Sequence, residues 1–368
     1  MGLKCGIVGL PNAGKSTLFN ALTGGGAEAA NYPFCTIDPN IGIAEIVDER
    51  LLKLAAQVQA AKTIPAVVEF VDIAGLVKGA ADNAGLGNRF LSHIRETDGI
   101  AHVVRCYEDG DISHVHGEVN PADDISVINL ELILADLATV EKAAARAGKL
   151  AKTGDKEARA TAEVSEKLKA HLSAGNPART LDLDENQHAA AKPLCLITMK
   201  PALYIANVGE DGFTNNPLLE SARAAAAAEN APLLPVCAQA EADISDWDSE
   251  EKAEMLKALA VPDDESGSGG LARVAQATFK MLNLITYFTA GPKEARAWTI
   301  SNGTTAQRAA GVIHEDFARG FIRAEVIHWS DFLQYNGEVG AREAGKARQE
   351  GREYIVVDGD VMHFRFNV

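Results

Sequence analysis

The sequence predicts an α/β protein: a mostly parallel sheet with flanking helices, interrupted by a helical hairpin and followed by a small β-rich unit. Three observations carry that prediction. Short β-rich apolar runs alternate with helical stretches over the first ~115 residues, and strand character returns near residue 202. Between them, apolar residues recur at helical rather than strand spacing. After Gly291-Pro292 the chain breaks into several short strand-like runs.

In chain order, residues 3–8 form an apolar run that reads as a buried strand, followed by a helix over 16–22. Residues 66–71 and 100–106 read as two further strands. From about 125 to 190 the period changes. Leu130, Ile133, Leu134, Leu137, Val140 and Ala144 define one helical face, and Val164, Leu168 and Leu172 a second. Gly148 and Gly154 separate the two helices, and Gly175-Asn176-Pro177 ends the second. Strands are expected again at 202–206 and 232–236. The acidic, Ser/Gly-rich stretch 262–270 reads as a surface loop, and 271–288 as one long apolar helix. Strands over 297–300, 321–326, 354–357 and 361–366 complete the chain. The expected units are 1–124 with 201–280 as one discontinuous domain, 125–200 as an insertion, and 281–368 as a C-terminal domain.

The chain of 368 residues is long enough for a sizeable core. A formal net charge of −16 excludes general DNA or RNA binding by bulk electrostatics, so a nucleic-acid partner would need a local basic patch. Eight Lys or Arg against five Asp or Glu between Glu141 and Ala170 offer one such place, as do Arg342, Lys346, Arg348 and Arg352; a solvated helix face explains the first equally well. Five scattered cysteines without CxxC spacing read as reduced thiols. The N-terminal stretch lacks an apolar run of signal-peptide or membrane-span length, so a cytoplasmic protein without membrane association is expected.

Chemistry enters at Gly9-Leu10-Pro11-Asn12-Ala13-Gly14-Lys15-Ser16, which fits G-x-x-x-x-G-K-[ST] between a strand and a helix. This is the P-loop of a nucleoside triphosphatase. Its glycines let successive N–H groups turn toward phosphate oxygens, and the helix N-terminus adds partial positive charge. Asn12, Ala13, Gly14, Lys15, Ser16 and Thr17 are the expected phosphate contacts, with Lys15 on the β- and γ-phosphates and the Ser16 hydroxyl on Mg²⁺. Asp72-Ile73-Ala74-Gly75 follows a strand, placing Asp72 near the metal and the Gly75 N–H near the γ-phosphate. Thr36 lies between the two motifs and is the candidate third metal-side group.

The segment AGLVKGAADNAGLGNRFLSHIRETD after Asp72 resembles the Obg class of P-loop proteins, with Gly75, Lys78-Gly79-Ala80, Gly85-Leu86-Gly87, Phe90-Leu91 and His93-Ile94-Arg95 in register. NYPFCT (31–36), the helical insertion and NVGE (207–210) together resemble the Obg-like ATPases of the YchF type, and the tail from Gly303 onward resembles that family's TGS domain, a β-grasp fold. The resemblance covers essentially the whole chain. It implies ATP hydrolysis with Mg²⁺, association with the ribosome (large subunit or whole particle), and a role around translation or stress.

Base selection rests on NVGE. A guanine site of this class reads Asn-Lys-x-Asp, whose carboxylate accepts both guanine donors; here the lysine is Val208 and the acid is Glu210. Adenine presents an acceptor at N1, which repels a carboxylate. Asn207 and the Val208 backbone are therefore expected on the adenine edge, closed from the other side by Cys237 and Ala238. The alternative is a degenerate guanine site. Leu76 occupies the place of the water-orienting glutamine found in many switches. His93, His102, His114 and His116 are the candidate replacements; His102 lies in a strand, and the resemblance points to His114 as the catalytic group.

Overall fold

The computed structural model describes residues 3–24, 40–73, 86–114, 117–245, 247–259 and 269–367. Two six-stranded sheets organise it. The first contains β1 (Lys4–Val8), β2 (Ile41–Ile46), β4 (Ala66–Asp72), β5 (Gly99–Arg105), β6 (Ala202–Asn207) and β7 (Leu233–Val236), in the order β2-β4-β1-β5-β6-β7. All neighbours run parallel except β2, which pairs antiparallel with β4 at one edge. β5 is buried at every position and β6 likewise, the near-continuous apolar pattern of strands covered on both faces.

Register places the ends of five strands on one rim. Ile7 pairs with Asp72, Val8 with His102, Arg105 with Asn207, and Asn207 with Val236. The loops leaving β1, β4, β5, β6 and β7 therefore gather at the carboxyl edge, where open α/β sheets bind ligands. Helices α1 (Lys15–Thr23) and α3 (Leu86–Arg95) follow β1 and β4. The helix α2 (Glu49–Gln57) was not legible in the sequence, although Asp48 caps it through the Arg50 N–H at 2.9 Å.

Between β5 and β6 lie α4 (Pro121–Ala151) and α5 (Lys156–Ser173), which pack along each other over Ile133, Val140, Val164, Leu168 and Leu172. Gly148 does not break the first helix as expected. It sits inside α4 facing open space, and the cost of one interior glycine, about 1 kcal/mol, is small for a 31-residue packed helix. Gly154, at φ +90°, makes the turn instead. The short α6 (Glu185–Ala191) then packs on α5. Asp136, fully buried in α4, accepts from the Ile197 and Thr198 N–H groups at 2.9 and 2.7 Å and so fixes the chain's return to β6.

Helices α7 (Pro217–Ala228), α8 (Ala238–Asp243), α9 (Ser249–Ala258) and α10 (Gly269–Met281) complete the first layer set. The expected helix over 271–288 is two elements. Asn283, at φ +51°, ends the helical run, and the aromatic and β-branched residues beyond it form β8 (Leu284–Ala290). β8 joins β9 (Ala295–Ser301), β10 (Phe321–His328), β11 (Arg348–Glu350) and β12 (Asp360–Phe366) in the second sheet, ordered β11-β10-β12-β8-β9-β3. Residues 354–357 make one isolated bridge, Thr305 to Ile355, rather than the strand expected there.

The sixth strand of that sheet, β3 (Thr63–Ile64), comes from the N-terminal half and pairs parallel with β9. Thr299 Oγ1 accepts from the Val67 N–H at 3.2 Å and donates to the Val67 carbonyl at 3.0 Å, and Arg50 meets Asp358 at 2.5 Å. The strand that ends in Asp72 is thus bonded directly to the C-terminal sheet. Three of the four cations singled out near the C-terminus are paired: Arg342 with Glu325 and Glu338, Lys346 with Asp331, and Arg348 with Glu350 and Asp360. These three cations do not make the uncompensated basic patch that their sequence positions suggest.

Candidate active site

The apolar strand β1 ends at the rim, and the chain must turn there without side-chain bulk. A Cβ on Gly9, at φ +153°, would lie 2.4 Å from the Val103 carbonyl oxygen. Asn12 sits at φ +64°, a region asparagine tolerates better than most residues. Gly14, at φ +92°, is the N-cap of α1 and makes no side-chain cap, so the first N–H groups of the helix remain for an anion. Lys15 is 9% exposed, and its Nζ donates to the Leu10 carbonyl at 2.8 Å. Burial lowers the Lys15 pKa while Asp72 pulls it back up; burial likewise raises the Asp72 carboxyl, with Lys15 opposing. Each charge is therefore short of counter-charge in its present surroundings. A phosphate beside Lys15 and a cation beside Asp72 would relieve both. Ser16 is exposed on the first turn of α1 and Thr17 half-buried, in keeping with a hydroxyl available to a metal.

At the base end, β6 delivers Asn207 to the rim with 6% exposure. Its Nδ2 donates to the Ala13 carbonyl at 3.1 Å, and its Oδ1 accepts from the Ala238 N–H at 3.2 Å. Both ends of the amide thus bond the protein, using one N–H and one lone pair, which fixes the orientation of the amide at the rim. Asn207 is a strut between the phosphate loop and the β7–α8 loop, and its closeness is why position 14 must be glycine, whose Cβ would fall 2.1 Å from Nδ2. Val208 is buried and its N–H donates to the Val236 carbonyl at 2.9 Å. Cys237 and Ala238 are buried at the start of α8, with burial pushing the Cys237 thiol pKa up. Glu210 is exposed, so its carboxylate stands in solvent rather than in the buried rim beside Asn207.

The loop after β5 is built, not slack. Arg105 is almost fully buried and donates to the carbonyls of Tyr107, Asp109 and Ile112 at 3.1, 3.3 and 3.0 Å, with its guanidinium 4.7 Å from the Tyr107 ring centre. Asn12 Nδ2 then donates to the Ser113 carbonyl at 3.1 Å, tying this loop to the phosphate loop. His114 follows immediately, which places it next to the phosphate site. Its Nε2 lies 3.0 Å from Asp124 Oδ2 on the first turn of α4. Arg105 thus holds residues 107–112 from within the loop. His102 is a core residue, its ring 5.2 Å from that of Tyr204, and His93 is exposed on α3. Thr36, Gly75, Leu76, Cys35 and His116 lie outside the described residues.

Comparison with known proteins decides the family. The C-terminal model of YchF-type GTPases, described as a protein of unknown function, matches residues 284–367, and a model described as a 50S ribosome-binding GTPase matches 4–135. The chain is 57% identical over 368 residues to the "Ribosome-binding ATPase YchF" of Escherichia coli O157:H7, covering all of both chains. It is 53% identical over 371 residues to the protein of that name in Bacillus subtilis, again covering all of both. The chain belongs to the YchF family. The solved "YchF GTPase" of Schizosaccharomyces pombe superposes with a TM-score of 0.86 at 36% identity, covering 99% of this chain and 98% of that one. Both sheets of this YchF chain thus keep the arrangement of that structure.

Sequence reasoning missed three residues that shape this YchF site: Arg105, Asp124 and the tethering role of Asn12. Asp124 had a signal. Asn120-Pro121 is a helix start, with Asn120 Oδ1 accepting from the Asp123 N–H at 3.4 Å, so the next carboxylates fall on the first turn of α4. Arg105 had none, because an arginine ending a strand gives no hint that it will be buried against its own loop.

Proposed function

We propose that this chain is an Mg²⁺-dependent ATPase that works as a nucleotide switch on the ribosome; its YchF relatives are named ribosome-binding ATPases. The observation that supports the reading is an α1 N-terminus without a side-chain cap beside a buried Lys15, with the half-buried Asp72 near enough to act on the lysine's charge. The phosphate-loop N–H groups and Lys15 bind the β- and γ-phosphates, holding the terminal phosphoryl group in line for water. Ser16 and Asp72, together with Thr36, would hold the magnesium ion, which when bound neutralises charge developing on the phosphate oxygens. Gly75 offers its N–H to the γ-phosphate in the same reading.

Adenine is selected at the rim between Val208 and the Cys237–Ala238 turn, with Asn207 fixing the distance between that turn and the phosphate loop. The competing guanine reading needs a carboxylate on the base edge, and exposed Glu210 argues against it. With Leu76 where a water-orienting side chain is needed, His114 is the group that orients the attacking water. Turnover is therefore slow until the imidazole reaches the γ-phosphate. The same reading treats residues 1–124 with 201–280 as the nucleotide-binding domain, 125–200 as an inserted helical hairpin, and 281–368 as a TGS β-grasp domain. It places the protein in the cytoplasm; among the described residues no helix is long and apolar enough to cross a membrane.

Phosphate release from ATP by the full chain, measured with and without Mg²⁺ and with and without ribosomes, tests the proposal. Mg²⁺-dependent release that ribosomes accelerate is the expected result. Release indifferent to both would overturn it.

A further inference from the structure

The ring of His114 and the carboxylate of Asp124 are both buried, with side chains 4% and 5% exposed. Asp124 lies in the first turn of α4, where the positive end of the helix favours a carboxylate. Upstream of His114, Arg105 grips three carbonyls of the loop and Asn12 binds the Ser113 carbonyl at the phosphate loop. Downstream, the Gly117 N–H donates to the His114 carbonyl at 3.1 Å, and α4 begins four residues later. His114 therefore stands at the seam between a loop anchored to the phosphate site and a helix of 31 residues, roughly 45 Å long.

With Nε2 on Asp124, the imidazole meets a water at the γ-phosphate only through Nδ1, and only if the pair moves there as a unit. Bringing the pair there together would set a carboxylate against the triphosphate, and like charges at that range repel strongly in a site shielded from solvent. The ring has to exchange one anionic neighbour for the other. We propose that Asp124 is a positioning residue that holds His114 away from the attacking water, so that α4 gates hydrolysis. The ring turns toward the phosphate when the first turn of α4 shifts and the Asp124 contact opens. Because α4 packs along α5 as a continuous rod, a partner seated on the helical pair acts on Asp124 through a stiff element. The proposal rests on the reading of His114 as the water-orienting group.

Asp124→Asn keeps the shape of the side chain and replaces a charged acceptor by a neutral one. With the full chain in excess over Mg·ATP and no ribosomes, its single-turnover rate should rise about tenfold, the difference between a charged and a neutral hydrogen bond. ATP affinity should stay within about twofold, since the bound ground state does not use the contact. The double variant His114→Ala/Asp124→Asn should be as slow as His114→Ala, because the gain runs through the ring. A merely structural Asp124 would lower the rate on substitution, not raise it. If His114→Ala is slow and Asp124→Asn is no faster than the parent, the gate is refuted while the catalytic reading of His114 stands. If His114→Ala keeps its full rate, both fall.

Should Asp124→Asn fail to fold, the parent chain carries the test through its reactivity toward diethyl pyrocarbonate, with exposed His188 as the internal reference. His114 should react more slowly than His188 in the free chain, stay slow when a non-hydrolysable ATP analogue and Mg²⁺ are added alone, and react faster once ribosomes are added with them. Reactivity equal to His188 throughout, or protection that ribosomes leave unchanged, overturns the gate.

Discussion

Asn207→Ala separates a strut from a base reader. The substitution removes a donor to the Ala13 carbonyl at 3.1 Å and an acceptor for the Ala238 N–H at 3.2 Å, both in the buried rim. Each backbone group left without its partner costs about 1–3 kcal/mol, so the expected total for the two is roughly 2–6 kcal/mol. That penalty is met either as lost stability of the folded chain or, where the two loops part to reach water, as lost nucleotide affinity. In the second case it corresponds to roughly 30-fold to 20,000-fold in Kd. Because Ala13 belongs to the phosphate loop, the loss should not depend on the base: ATP, ADP, GTP and inorganic tripolyphosphate should all weaken by similar factors. Isothermal calorimetry with those four ligands, alongside urea unfolding, measures both parts. The reasoning is refuted if stability and affinity stay within about twofold of the parent, or if the loss is confined to adenine nucleotides while tripolyphosphate is unaffected.

Two further outcomes follow from the same geometry. Ser16→Ala should abolish Mg²⁺-supported ATP hydrolysis with little change in fold, because the exposed hydroxyl of the first α1 turn is the expected metal ligand; a full metal-dependent rate would remove Ser16 from the site. His102 should make the protein acid-labile: burial first, then Arg179 and Lys15, push its ring down to about 3. The unfolded chain takes up a proton near the ordinary value of 6.5 that the folded chain refuses, so this contribution to stability is complete above that pH and falls as pH drops toward 3. The loss should reach about 2 kcal/mol by pH 5, and urea midpoints of His102→Asn should decline less over that window than those of the parent; parallel declines would contradict it.

The parts of the site that a short stretch of chain can build were legible in the sequence. Strand, glycine turn, lysine and helix all lie within β1 to α1, and the phosphate loop needs nothing from elsewhere to be recognised. Asp72 was legible because an aspartate ending a buried strand shortly after that loop falls on the same rim. Asn207 was found, but its role as a strut was not, because its two bonds join segments 194 and 31 positions away, which no local pattern records. The C-terminal cations were misjudged for a similar reason, since Glu325, Asp331 and Asp360, which pair with Arg342, Lys346 and Arg348, come from other strands and helices. The β8 error has a local cause. An apolar run of seven residues looks alike in a buried helix and a buried strand, and the deciding feature, Asn283 in the left-handed region, is a weak sequence signal.

Direct competition between ATP and GTP for the purified full chain, followed by calorimetry in the presence of Mg²⁺, tests the central claim most directly. A site that reads a specific hydrogen-bonding edge discriminates strongly, and ATP should bind at least about tenfold more tightly than GTP. The double substitution Val208→Lys/Glu210→Asp, which restores the guanine-reading pattern, should move that ratio toward GTP. Equal binding of the two nucleotides, or tighter binding of GTP by the parent chain, would contradict the account.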